Sequence, residues 1–133
     1  MLGIKKQFIK NMIKLEVVAN TPGKLQLYIA QIKKADDEYK KYQAYVERGI
    51  KLMKGIEDVQ VDYEKGLLTI YYNPEVVSVQ KVYKWLQVLV DIGIDYYDSL
   101  KASWDKNEDN DAQVELFWQK MKPILLTELT KLR

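Results

Sequence analysis

Hydrophobic positions change period along this chain, and the changes mark its elements. Leu2, Ile4, Phe8, Ile9, Met12 and Ile13 recur at helical spacing and predict a short amphipathic helix over residues 2–14. Leu15–Val18 is a β-prone run, which Asn20-Thr21-Pro22-Gly23 closes with a turn or strand break. Leu25, Leu27 and Ile29 then alternate with Lys24, Gln26 and Tyr28, the pattern of a strand with one face in a core. From Asp36 the spacing lengthens: Tyr39, Tyr42, Val46, Ile50 and Met53 fall three or four apart and predict a helix over 36–54. Asp36 or Asp37 can cap its start and Gly55 can end it. Val59, Val61 and Tyr63, the turn Lys65-Gly66, and Leu68, Ile70 and Tyr72 then spell a β-hairpin, stopped by Asn73-Pro74.

Ser78 is a suitable N-cap for a helix carrying Val79, Val82, Tyr83, Leu86, Leu89 and Val90 on one stripe. Trp85, Val88 and Ile92 form a second stripe, so this helix needs cover on two sides, from the sheet and from a terminal helix or a second copy of the chain. Val90–Tyr96 alternates strictly like a strand, yet Val90, Ile94 and Tyr97 also fit a helix continuing to about Trp104. The helical reading is preferred, which leaves the fourth strand of the sheet open. Asp105–Asp111 reads as an acidic loop. A last helix carries Val114, Phe117, Trp118, Met121, Leu125, Leu129 and Leu132, with Pro123 expected to kink or split it.

The order strand, helix, hairpin, helix predicts an α+β fold with a ferredoxin-like βαββα core and additional N- and C-terminal helices. The expected organisation is an N-terminal helix over 1–14, a core domain over 15–100 and a helical extension over 101–133.

Composition narrows the chemistry more than it suggests any. The 133 residues contain no Cys and no His, which removes disulfides, thiolate nucleophiles, imidazole bases and the usual zinc ligands. A net charge of +2 is no footprint of a nucleic-acid binder. No apolar run reaches membrane-spanning length, and the lack of Cys agrees with a cytoplasmic setting. Four lysines and no acid in residues 1–14 allow contact with an anionic membrane surface; a solvated face of a packing helix is the preferred reading.

Three segments carry a family resemblance. Thr21-Pro22-Gly23-Lys24-Leu25-Gln26-Leu27 resembles the "PGR-L-R-L" opening of a divergent branch of heavy-metal-associated domains, found in and beside cation-transporting P-type ATPases. Gly55-Ile56-Glu57-Asp58-Val59-Gln60-Val61 resembles that branch's "GV-x-x-V-x-V", and Gly66–Pro74 resembles its "TGSVLIxYDP". The metal-carrying members hold a Cys-x-x-Cys in the loop after the first strand, where this chain has Ile32-Lys33-Lys34-Ala35-Asp36-Asp37, without a soft ligand and with two cations. The resemblance therefore implies the fold and an association with metal-ion transport, but not metal transfer.

Other chemistry is thinly represented. Asp91, Asp95 and Asp98 share one face if their helix is continuous, which would suit a hard metal or, as preferred here, simply face solvent. Tyr28 and Tyr71 fall on the sheet face opposite the core, where RNA-recognition domains stack bases; Asp62 and Glu64, assigned to that face, and the absence of an RNP motif favour cross-strand tyrosine packing or cover by a partner or a terminal helix instead. No catalytic residue, cofactor motif or metal ligand set stands out. The expectation is a non-catalytic domain working by protein contact through Tyr28 and Tyr71 or the Trp85 stripe, the partner being a cation-transport component or a second copy as homodimer. The alternative is a peripheral membrane or self-associating structural protein using the basic N-terminal helix.

Overall fold

A computed structural model describes residues 12–35, 40, 43–105 and 110–132, with side chains outside 97 and 99–114. It shows an α+β fold around one four-stranded antiparallel sheet. The strands are β1 (Glu16–Thr21), β2 (Lys24–Tyr28), β3 (Ile56–Asp62) and β4 (Leu67–Tyr72), and the helices are α1 (Ala30–Lys33), α2 (Gln43–Lys51), α3 (Val79–Asp105) and α4 (Asn110–Lys131). Residues 2–11 of the predicted N-terminal helix, the caps Asp36 and Asp37, and most of the acidic loop lie outside the described residues, and Ile13 and Lys14 are not helical.

The sheet order is β1-β2-β4-β3. β2, α2, β3, β4 and α3 make the expected ferredoxin-like βαββα path, with β4 between the two strands that α2 connects. The open question of the fourth strand is answered from the other end of the chain. Residues 92–96 are helix, inside α3, and the place beside β2 is taken by β1. Pro22-Gly23 joins β1 to β2, with Thr21 opposite Lys24 and Gly23 at φ +83, the combination that a proline-glycine turn requires. A side chain at Gly23 would also stand 3.1 Å from the carbonyl oxygen of Tyr72.

The inner sheet face is apolar because each strand puts alternate residues on it. Leu25, Leu27, Ile29, Val59, Leu68, Ile70 and Tyr72 join Ile50 of α2, Val82, Trp85 and Leu86 of α3, and Leu125 of α4 in one buried cluster. Full burial of a side chain such as Leu27 or Ile70 contributes about 1.5–3 kcal/mol. Ser78 caps α3 as its sequence predicts, its Oγ accepting from the Lys81 N–H at 3.3 Å. α3 packs against α4, whose Trp118, Leu129 and Leu132 pack on the core. α4 contributes Leu125 to the same buried cluster. Pro123 does not split α4, which is helical from Asn110 to Lys131; a proline removes one N–H donor, and the tertiary contacts on either side keep the helix whole.

Candidate functional site

The outer sheet face follows from the same alternation that builds the core, and its register can be read as three rows. Thr21, Lys24, Tyr71 and Asp58 form one row; Ala19, Gln26, Thr69 and Gln60 the next; Glu16, Tyr28, Leu67 and Asp62 the third. None of these residues belongs to the core cluster. Thr69 alone is buried, on a central strand, and its Oγ1 accepts a hydrogen bond from Gln26 Nε2 at 3.0 Å.

Tyr28 and Tyr71 do share this face, both half-buried, but they do not meet. They sit on neighbouring strands in the first and third rows, about 13 Å apart along the strand direction at the ordinary rise per residue. Between them lies the uncharged amide and hydroxyl row. A Cβ on Gly66 would stand 3.1 Å from Tyr28 Cε2, so that ring lies against the β3–β4 turn. Glu64 belongs to the turn itself, Tyr63–Gly66, rather than to the face where the alternation had placed it, because β3 ends at Asp62.

Trp85 corrects an expectation. It was expected to offer a contact surface, but its side chain is fully buried, with Nε1 donating to the carbonyl oxygens of Gly49 at 3.1 Å and Ile50 at 3.2 Å. Burying an indole is favourable when its single donor finds an acceptor, and the end of α2 supplies one. Trp85 therefore ties α3 to α2 and presents nothing to a partner.

Beside the outer face, a recess runs along β3, lined by Gln43, Glu47, Val59, Val61 and Tyr63 together with Gln60. The Tyr63 hydroxyl donates to Gln43 Oε1, Gln43 Nε2 donates to Glu47 Oε1 at 3.0 Å, and Lys40 Nζ lies 4.9 Å from the Tyr63 ring centroid. Partial burial, with the nearby Glu47 charge, raises the Tyr63 phenol above its ordinary range. Sequence reading missed this chain of contacts, since Gln43 and Tyr63 are 20 residues apart and neither residue type signals chemistry.

On the helical side, Arg48 joins α2 to α4. Its Nη1 lies 2.8 Å from Glu115 Oε2, and its guanidinium is 5.3 Å and 5.6 Å from the Tyr45 and Trp118 ring centroids. The hydrogen bond to Glu115 raises the guanidinium's pKa further, so it is a cation at every working pH. The pair is solvent-exposed and acts as a positioning contact between helices.

Asp91, Asp95 and Asp98 are exposed along continuous α3. Among the described residues, no three acidic, histidine or cysteine side chains come close enough to hold a metal ion. Among the same residues, no helix is long and apolar enough to cross a membrane. No family model, curated protein or solved structure matches the chain.

Proposed function

We propose that the protein is a non-catalytic interaction domain that binds a protein partner through the outer face of its sheet. The observation that supports this reading is the division of labour across the sheet. α2, α3 and α4 contribute to the core on the inner face, while the outer face contributes nothing to it and carries two half-buried phenols around an uncharged row. Tyrosines combine apolar area with a hydrogen-bonding tip and lose little entropy on binding, which suits a protein contact. Glu16, Asp58 and Asp62 at the corners of the face repel a polyanion, which favours a protein partner over RNA. The resemblance to domains beside cation-transporting ATPases makes a cytoplasmic component of such a system the first partner to try.

Site-specific photocrosslinking tests the reading. A photoreactive residue at position 28 or 71 should capture one and the same partner in cells, while one at exposed Lys84 on α3 should not. Capture from Lys84 alone, or from none of the three positions, would overturn the proposal.

A further inference from the structure

α3 is longer than the sheet it covers. Its 27 residues run about 40 Å, against about 17 Å for the five residues of β2. Val82, Leu86 and Leu89 pack in the core, but a Cβ at Gly93, one turn further on, would meet none of the described residues within 4 Å. Val90 and Ile94 stand half-buried beside this space and are not among the residues packed on the core. Asp91 and Asp98, both exposed, border the same row, at the three- and four-residue spacing that keeps side chains on one helix face.

We propose that residues 2–11 of this chain pack along that row of α3. Three observations select this segment as the occupant. The first is where the chain arrives: Ile13–Glu16 line a recess with Tyr83, Gln87, Val90 and Asp91, and the Tyr83 hydroxyl donates to the Leu15 carbonyl at 2.9 Å. Met12 is helical, with its carbonyl accepting from Gln31 Nε2 at 3.4 Å, so the preceding residues start beside α3 and not on the outer face. The second is length. Ten residues in the helix that the sequence predicts span about 15 Å, and α3 from Gln87 to Asp98 spans about 17 Å. The third is chemistry: Leu2, Ile4, Phe8 and Ile9 supply an apolar stripe for Val90 and Ile94, while Lys5, Lys6 and Lys10, with no acid among them, supply cations for Asp91 and Asp98. Burial of the stripe drives the docking, and the exposed ion pairs set its register while adding little energy. The basic segment is then part of the fold and is not held out for an anionic surface.

Carbodiimide crosslinking of the full chain tests this. The reagent joins a lysine amine to a carboxylate in contact with it as an amide, and takes up the water that is lost. Mass spectrometry should find Lys5, Lys6 or Lys10 joined to Asp91 or Asp98, at a yield independent of protein concentration. Ile94→Asn removes apolar area from the row, leaves both carboxylates in place and should abolish most of that crosslink. Lys120→Glu, at an exposed position of α4, should leave it unchanged, and circular dichroism should show both variants folded. Vesicles containing phosphatidylserine should not alter the yield. Loss of the crosslink on adding them would overturn the proposal in favour of a membrane surface, and a yield that rises with concentration would overturn it in favour of a second copy. A wild type without the crosslink, or a crosslink indifferent to Ile94→Asn, would overturn it outright. These readouts do not involve Tyr28 or Tyr71, so they can fail while the outer-face reading stands, and the reverse.

Discussion

Tyr71 and Tyr72 are neighbours on β4 with the same side chain and opposite fates. Tyr72 is 4% exposed among Leu25, Ile70 and Val77 under the helices, while Tyr71 stands half-buried on the outer face between Lys24 and Asp58. The period-two backbone of a strand makes that division, and a slip of one residue would exchange the two rings. The inner face is where stability is held. The outer face can change with little cost to the fold, which leaves it available for recognition.

The comparison breaks if the two faces respond alike to truncation. The largest effects should be Tyr72→Ala and Trp85→Ala, each destabilising by about 3–5 kcal/mol in denaturant unfolding, since both remove a buried ring and leave a cavity. Next comes Gly55→Ala. Gly55 has φ +103 between α2 and β3, and a Cβ there would lie 2.8 Å from Val77 Cγ1 on the core side, so a loss of about 1–3 kcal/mol is expected from the same measurement. Tyr71→Ala and Tyr28→Ala should cost no more than about 1 kcal/mol each while abolishing partner crosslinking. A cost for Tyr71→Ala equal to that of Tyr72→Ala would show that the outer face is covered in the folded chain.

The smallest effect sharpens the boundary at the β3 recess. Burial and Glu47 hold the Tyr63 phenol above its ordinary value of 10.0. The stability this contributes is fully present below pH 10.0 and is lost as pH rises through the elevated folded value, where the fold must accept a phenolate it disfavours. Thermal unfolding followed across that range should therefore decline less steeply for Tyr63→Phe than for the wild type, whatever the variant loses in its bond to Gln43.

The helices and the hairpin were legible because their signals are local. Leu25 and Leu27 alternate, Asp62 and Gly66 bracket a turn, and Ser78 caps α3, each within a few residues. Tyr28 and Tyr71 could be assigned to one face for the same reason. Their separation by the Gln26–Thr69 pair could not, because it depends on the β2–β4 register, set by residues over 40 positions apart. Val90–Tyr96 alternates like a strand yet is helical, since packing of α3 against α4 overrides a short period-two pattern. The depth of Trp85 was likewise hidden: a stripe on α3 can meet solvent, a partner or another helix, and only the arrival of α2 carbonyls at its Nε1 distinguishes them.

By itself, then, the sequence determined the hairpin and the two long helices, the inward side of β2, β3 and β4, the absence of thiol and imidazole chemistry, and the two phenols on the far face. Tertiary structure decided that an N-terminal strand completes the sheet and that Trp85 is core. Propensity and period act over one or two turns of chain, whereas strand partners, buried donors and free edges are set by segments that meet only after folding.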